Sequence, residues 1–166
     1  MKKSKIGLVG LGVMGQNLAL NMEDKGYSVS VYNRTASKTE KFVQDKIQDE
    51  KIQPTYSLEE FIDSLERPRK VILLVKAGQA VDNYIEKLIP LMDKGDLIID
   101  SGNSFFKDTI RRNQYLEGKG FLFIGTGISG GEEGALKGPA MMPGGQKEAY
   151  NLVQDLFEKI SAKAQE

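Results

Sequence analysis

Short apolar runs alternate along the chain with segments whose apolar residues recur every three or four positions. Runs of this length and composition are typical of buried strands. Five such runs predict strands at residues 5–9, 28–32, 70–75, 97–99 and 121–124. The third run is apolar on both faces, which favours a sheet that is covered on both sides.

The segments between these runs have helical spacing. Met14, Leu18 and Met22 share one face of a first helix, and Gly26 follows where a helix commonly ends. Possible capping boxes at residues 37–40 and 57–60 predict the starts of two more helices, the second of which is ended by Pro68. Further helices are predicted from the apolar spacing at residues 81–89, 105–116 and 147–160.

This βαβαβ alternation with short connections predicts an α/β fold of the Rossmann type. We expect one doubly wound domain over residues 1–166, with a mainly parallel sheet and helices on both faces. One segment departs from the pattern, because eight of the 21 residues from Gly125 to Gly145 are glycine. We interpret it as a long loop, either functional or flexible.

Composition and charge exclude several classes of protein. Lys plus Arg and Asp plus Glu both number 23, so no overall field favours nucleic acid or an anionic membrane. The chain contains no Cys and no His, which excludes disulfides, thiolate sites, Ser-His hydrolases and most zinc enzymes. No metal site, transmembrane segment or signal peptide is predicted, and the absence of Cys fits a reducing, cytoplasmic compartment.

The sequence G-x-G-x-x-G directly follows the first strand and opens the first helix. It comprises Gly10, Leu11, Gly12, Val13, Met14 and Gly15. In this context, the first glycine permits a tight turn, the second lets a pyrophosphate approach, and the third lets the helix pack on the strand. The alternative is a close-packed turn without a ligand. No Gly-Lys-Ser/Thr follows at the spacing that a P-loop requires.

The end of the second strand predicts which dinucleotide binds. An NAD enzyme would carry Asp or Glu there to bind both ribose hydroxyls, whereas this chain has Asn33, Arg34 and Thr35. An amide, a guanidinium and a hydroxyl suit the 2′-phosphate of NADP, and Lys38 adds charge one turn later. The alternative is that Arg34 is a solvated surface residue and Thr35 only a helix cap.

Two other strand ends carry candidate ligand contacts, because ligands of such sheets lie beyond the carboxyl ends of the strands. Val75 ends the strand at 70–75, Lys76 and Ala77 come directly after it, and Asn103 lies in the segment after the strand at 97–99. Alternatively, Lys76 merely precedes a helix and Asn103 only forms a turn.

Taken together, these segments resemble the decarboxylating 6-phosphogluconate dehydrogenase family over essentially the whole chain. The resemblance is carried by residues 10–15, 33–35, 75–78, 100–104, 128–135 and 138–145. The more distant 3-hydroxyisobutyrate type of β-hydroxyacid dehydrogenase shares the glycine turn and a Gly-Gly segment. It lacks the combination of Asn-Arg-Thr with Ser-Gly-Gly-Glu-Glu-Gly-Ala.

The resemblance implies a cofactor, NADP, and a substrate, the sugar-acid phosphate 6-phosphogluconate. It implies cofactor contacts at Gly10, Leu11, Gly12, Val13, Met14, Gly15, Asn33, Arg34, Thr35, Val75, Lys76, Ala77 and Asn103. It implies substrate contacts at Asn103, Ser129, Gly130 and Gly131. The family reaction oxidises the 3-hydroxyl and decarboxylates the product to ribulose 5-phosphate, a step of the pentose phosphate pathway.

In the family, a lysine base, a glutamate acid and most contacts of the homodimer lie beyond the coenzyme domain. No lysine of this chain matches that base, and we assign no catalytic residue. We therefore expect a coenzyme domain that binds NADP without turnover. The alternatives are a stand-alone NADP(H)-sensing module and another NADP-linked β-hydroxyacid dehydrogenase.

Overall fold

A computed structural model describes residues 2–48 and 51–164 of the chain. Within these residues, seven strands run β1 Ile6–Val9, β2 Val29–Tyr32, β3 Ile52–Thr55, β4 Lys70–Leu73, β5 Leu97–Asp100, β6 Leu122–Ser129 and β7 Ala140–Gly145. The helices are α1 Val13–Asp24, α2 Ala36–Lys46, α3 Leu58–Asp63, α4 Gln79–Leu88, α5 Phe106–Gly118, α6 Gly131–Lys137, α7 Lys147–Asn151 and α8 Gln154–Ile160. A short 3₁₀ helix, Ile89–Leu91, follows α4.

All seven strands join one sheet in the order β3-β2-β1-β4-β5-β6-β7. The first six strands are parallel, and β7 pairs with β6 in the antiparallel sense. From β1 the chain builds outward to β3, and from β4 it builds outward in the other direction. The strand order therefore reverses between β1 and β4, and this opens a crevice at the carboxyl ends of these two strands. The expected doubly wound fold is confirmed.

Apolar side chains alternate between the two faces of the sheet and form two cores. Leu8 and Ile72 point into one core, whereas Val9 and Val71 point into the other. The first core lies under α1 and α8, and the second lies under α3 and α4. Because both faces are buried, the central strands are nearly continuous apolar runs, as the sequence pattern indicated.

Two strands, β3 and β7, were not predicted from the apolar runs. In β3, a polar side chain and Pro54 interrupt the apolar pattern. Proline lacks the N–H that a central strand needs, but β3 lies at the edge of the sheet and pairs with β2 alone. An edge position thus explains both the strand and its weak signal.

Of the two helix starts predicted from capping boxes, one is confirmed and the other is wrong. Ser57 Oγ accepts a hydrogen bond from the amide of Glu60 at 3.1 Å, which confirms the cap of α3. The cap predicted at Ser37 is wrong, because α2 already begins at Ala36 after an extended Thr35. Gly26, with a φ of +90°, follows the end of α1 as predicted, but two other helix predictions need correction. The helix α3 ends at Asp63, well before Pro68, and the closing helix is divided into α7 and α8.

Local hydrogen bonds account for these last two differences. The hydroxyl of Ser64 lies 2.6 Å from the carbonyl oxygen of Phe61 and caps the end of α3. Between α7 and α8, Leu152 and Val153 donate to carbonyls three residues back, at 3.2 and 3.0 Å. These tighter turns redirect the chain, and α8 begins only after Val153, whose φ is −125°.

The glycine-rich segment is not a long loop, contrary to the prediction. Its first part extends β6, its middle forms α6, and its last part is β7, which pairs with β6 from Ile124↔Gly145 to Ser129↔Ala140. The buried Asn21 fixes α6 against α1, because its Nδ2 donates to the carbonyls of Ala135 at 3.2 Å and Ile160 at 2.9 Å. Glycine has a low strand propensity, so the composition concealed regular structure.

Candidate functional site

The three glycines of the turn between β1 and α1 differ in what surrounds them. Gly10 has a φ of +107°, and a Cβ there would lie 2.2 Å from the Leu74 carbonyl oxygen. A Cβ at Gly15 would lie 1.9 Å from the Gly10 carbonyl oxygen. A Cβ at Gly12 would meet nothing within 4 Å. The packing of the domain requires the first and third glycines, whereas the second leaves open space over the turn.

That open space lies at the first turn of α1. Gly12 is the N-cap residue, with φ −65° and ψ 176°, and it has no side chain with which to cap the helix. The first turn carries no acidic residue. The first amides of the helix and its positive dipole end are thus available to an anion in the crevice.

Asn33 holds the glycine turn against the end of β2. Its Oδ1 accepts a hydrogen bond from the Leu11 amide at 2.9 Å, and its Nδ2 donates to the Thr35 carbonyl oxygen at 3.2 Å. The side-chain amide therefore uses both of its polar atoms within the protein. This gives Asn33 a role in shaping the turn, in addition to the cofactor contact expected from the sequence.

Arg34 is exposed at the mouth of the crevice, and its guanidinium makes no ion pair or hydrogen bond with the residues that the structure describes. Thr35 is the N-cap of α2, yet its side chain does not cap the helix. Tyr84 lies nearby. Burial raises the pKa of its hydroxyl, the charge of Tyr32 adds to this effect, and Arg34 opposes it. The guanidinium of Arg34 and the hydroxyl of Thr35 thus remain available to a ligand after β2.

The loop after β4 (the β4 loop, residues 74–78) packs against the glycine turn and against the turn after β5 (the β5 turn, residues 101–105). A Cβ at Gly10 would lie 3.4 Å from Val75 Cγ1, and a Cβ at Gly102 would lie 2.6 Å from the Val75 carbonyl oxygen. Lys76 and Ala77, next in the chain, are exposed. The structure thus brings the glycine turn, the β4 loop and the β5 turn together at the carboxyl ends of the central strands.

Asn103 joins the β5 turn to the end of β6. It adopts a φ of +55°. Its Oδ1 accepts from the Ile128 amide at 3.2 Å, and its Nδ2 donates to the Ile128 carbonyl oxygen at 3.4 Å. Ser129 and Gly130 follow Ile128 and are exposed. The substrate contacts expected from the resemblance are therefore adjacent to Asn103.

The expected site residues form two groups rather than one. Asn33, Arg34 and Thr35 follow β2, whereas Asn103 follows β5 and Ser129 ends β6. In the sheet, β1 and β4 separate these groups, with the glycine turn between them. Such an arrangement suits an elongated ligand that spans the crevice rather than a compact one.

Sequence reasoning missed the residue that joins two of these loops. Arg112 of α5 is only 1% exposed and is hydrogen-bonded to Asp82, Asp100, Ser104 and the carbonyl of Gly78. Its hydrogen bonds to Asp82 are the largest reason that the pKa of the Asp82 carboxyl lies below its ordinary value. The only signal in the sequence was its place four residues before Leu116, on the apolar side of α5.

Among the described residues, no helix has the length and apolar character needed to cross a membrane. The same residues contain no group of three or more Asp or Glu side chains placed to hold a metal ion. The candidate site therefore consists of backbone N–H groups, side-chain hydroxyls, the side-chain amides of Asn33 and Asn103, and two cations, Arg34 and Lys76.

A reversed strand order, a G-x-G-x-x-G turn with open space at Gly12, and a helix N-terminus facing the crevice define a dinucleotide-binding domain of the doubly wound class. The profile of one family, described as the NAD binding domain of 6-phosphogluconate dehydrogenase, matches residues 5–165. The chain belongs to this family.

Similar proteins have the same family name. The decarboxylating 6-phosphogluconate dehydrogenase of Escherichia coli is 57% identical over 166 residues, which are 100% of this chain and 35% of the relative. The NADP(+)-dependent, decarboxylating 6-phosphogluconate dehydrogenase of Bacillus subtilis is 59% identical over 163 residues, 98% of this chain and 34% of the relative. The chain thus spans about a third of the length of these relatives.

Solved structures agree with the fold. The Plasmodium falciparum 6-phosphogluconate dehydrogenase, solved in its apo form and with NADP+ or 6-phosphogluconate, superposes with a TM-score of 0.89 at 43% identity. That match covers 96% of this chain and 34% of the other. A 3-hydroxyisobutyrate dehydrogenase of Mycobacterium tuberculosis has a TM-score of 0.82 at 21% identity, covering 96% of this chain and 52% of the other, and shows the fold alone.

Proposed function

We propose that residues 1–166 form a coenzyme-binding domain that binds NADP in the crevice between β1 and β4. The unpaired guanidinium of Arg34 at the end of β2 carries the proposal, because this position in an NAD enzyme would hold a carboxylate. The P. falciparum relative binds NADP+, and the B. subtilis relative is NADP(+)-dependent, which supports the same choice here.

The geometry suggests where each part of the dinucleotide lies. The 2′-phosphate would contact Arg34 and Thr35, with Lys38 nearby. The pyrophosphate would lie over Gly12 and accept hydrogen bonds from the first amides of α1. The nicotinamide half would then extend toward the β4 loop and Asn103. The full set of proposed cofactor contacts is Gly10, Leu11, Gly12, Val13, Met14, Gly15, Asn33, Arg34, Thr35, Val75, Lys76, Ala77 and Asn103.

Charge determines the expected preference. The 2′-phosphate is dianionic, and the site offers it a guanidinium and a hydroxyl with no carboxylate in the Asn33–Thr35 segment. Two charge-assisted hydrogen bonds at roughly 1.5–3 kcal/mol each would favour NADP over NAD by about 10²–10⁴-fold.

For the whole protein, we propose oxidative decarboxylation of 6-phosphogluconate to ribulose 5-phosphate. Oxidation of the 3-hydroxyl to a ketone releases a proton from the oxygen and a hydride from the C3–H bond, for which bound NADP would supply the acceptor, and the carboxyl group then leaves as CO₂. In this chain, the amides and hydroxyl of Ser129, Gly130 and Gly131, with Asn103, would bind the sugar acid. We place no acid–base residue in this domain and expect the domain alone not to turn over. A cytoplasmic homodimer is also part of this proposal.

Titration with NADPH and NADH, followed by fluorescence, tests the cofactor assignment. We expect saturable binding with NADPH strongly preferred, and no reduction of NADP when 6-phosphogluconate is added. The variant Arg34→Ala should lose the preference. Arg67→Ala is a matched control, because Arg67 is an exposed arginine that pairs with Asp93 and precedes β4 rather than following a strand. Equal affinities of the wild-type domain for the two dinucleotides would contradict the proposal.

A further inference from the structure

Arg112 is the largest fully buried side chain of the described residues. A guanidinium cannot lose its charge in a protein, so its burial is unfavourable unless hydrogen bonds and opposite charges surround it. Its position on a helix outside the crevice gave no reason to expect a role in the site.

All three nitrogen atoms of the guanidinium are used. Nε and Nη2 donate to the two carboxylate oxygens of Asp82, at 2.9 and 3.1 Å, in a forked pair. Nη2 also donates to the Gly78 carbonyl oxygen at 3.1 Å. Nη1 donates to Ser104 Oγ at 3.1 Å and to Asp100 Oδ2 at 3.4 Å.

These partners lie on the two loops that flank the proposed nicotinamide half. Gly78 ends the loop that contains Lys76 and Ala77, and Asp82 lies in the first turn of α4. Asp100 and Ser104 bracket Asn103, and the Asp100 carboxylate also accepts hydrogen bonds from the Gly102 amide at 3.0 Å and from the Ser104 hydroxyl. One side chain therefore joins both loops from behind.

The contacts need the shape of arginine and not only its charge. A lysine ammonium is a single point charge that cannot reproduce the planar fork on Asp82 and at the same time reach Gly78 and Ser104. Two residues of these loops have positive φ, Gly78 at +99° and Asn103 at +55°, a region that glycine and asparagine adopt more readily than other residues.

Building on the proposed function, we infer that Arg112 is a positioning residue that fixes the β4 loop relative to the β5 turn and so sets the affinity for the nicotinamide half of NADP. The adenosine half is held by Arg34 and the glycine turn, neither of which Arg112 contacts. Loss of the fork should therefore weaken binding of the whole dinucleotide and spare its adenosine part.

Two ligands separate these effects: NADPH and 2′-phosphoadenosine 5′-diphosphoribose, which lacks the nicotinamide. In Arg112→Lys, we expect the affinity for NADPH to fall about tenfold and that for the shorter ligand to change less than about twofold. Arg111→Lys is the matched control, because Arg111 pairs with the same Asp82 carboxylate but is exposed and contacts neither loop. This control should change neither affinity.

Amide hydrogen exchange of the ligand-free domain gives a second readout. Exchange should accelerate at residues 76–78 and 101–104 in Arg112→Lys and stay unchanged in Arg111→Lys. If Arg112→Lys does not fold, Asp82→Asn takes its place, because it keeps the shape of the carboxyl and removes the charged fork. The same split between ligands is expected.

An equal loss for both ligands, or none for either, overturns the inference while the proposed function stands. Unchanged exchange in both loops overturns it as well. A wild-type domain that binds neither ligand overturns the proposed function, and the inference falls with it.

Discussion

Replacing Gly12 by alanine separates a glycine needed by a ligand from glycines needed by the fold. A Cβ at Gly12 would meet nothing within 4 Å, and the residue has an ordinary φ of −65°. A Cβ at Gly15 would instead lie 1.9 Å from a backbone carbonyl oxygen. The two variants add the same methyl group to the same turn, with opposite expected consequences.

The distances give the magnitudes. Gly12→Ala should leave the free energy of unfolding within about 1 kcal/mol of wild type, because alanine is a poorer N-cap but restricts the unfolded chain. Gly15→Ala should destabilise by about 1–3 kcal/mol or more, since backbone must move. The methyl group of Gly12→Ala occupies the space assigned to the pyrophosphate, so NADPH affinity should fall at least about tenfold, or 1.4 kcal/mol.

Urea unfolding and NADPH titration of the same preparations measure both quantities. Gly118→Ala is the control, because a Cβ at the last residue of α5 also meets nothing within 4 Å and faces no ligand. It should keep both stability and affinity. A Gly12→Ala variant that binds NADPH as tightly as wild type would refute the reasoning, because the open space would then not hold the pyrophosphate.

Three further predictions follow from single contacts. Asn33→Asp keeps the acceptor for the Leu11 amide, removes the donor to the Thr35 carbonyl oxygen and adds a carboxylate beside the 2′-phosphate, so the free energy of unfolding should fall by about 1 kcal/mol while the NADPH over NADH preference falls at least about tenfold. Hydrogen bonds from Arg112 hold the pKa of Asp82 in the folded protein below its value in the unfolded chain, so the ion pair stabilises the fold. That stabilisation is fully present above the pKa of the unfolded chain and is lost as the pH falls through the pKa of the folded protein. Asp82→Asn should reduce that loss in urea unfolding between neutral and acidic pH. Asn21→Ala should destabilise by about 2–4 kcal/mol, because two buried carbonyls lose their donor.

Each of these has a contradicting outcome. An Asn33→Asp domain that still prefers NADPH as strongly as wild type would place the 2′-phosphate elsewhere. Equal acid sensitivity of wild type and Asp82→Asn would show that the ion pair does not control stability. If Asn21→Ala unfolds like the control Asn17→Ala, which removes one exposed contact to the Glu132 carbonyl, then α6 is held by other contacts.

Much of the fold followed from local pattern. The apolar runs that became β1, β2, β4 and β5 were evident because buried parallel strands need apolar residues on both faces. The strand β3 was not, since Pro54 and a polar neighbour interrupt its pattern and only its edge position makes them acceptable. The glycine-rich segment misled for a similar reason, because pairing of β6 with β7 depends on tertiary contacts and not on propensity.

The candidate site also contains features that the sequence predicts and features that only the fold reveals. The glycine turn and Arg34 were recognisable because their chemistry is encoded in consecutive residues next to a strand. The Asn33 contact to Leu11 and the pairing of Asn103 with Ile128 required the fold, since the partners are 22 and 25 residues apart. Arg112 was hidden for the same reason, because its partners come from two segments, residues 78–82 and 100–104, that only the fold brings to it.

A crystal structure of the domain with NADP+ tests the central claim most directly. We predict the 2′-phosphate within hydrogen-bond distance of the Arg34 guanidinium and the pyrophosphate over Gly12, at the first turn of α1. An empty crevice under saturating NADP+, or an adenosine end bound away from Arg34, would contradict the account.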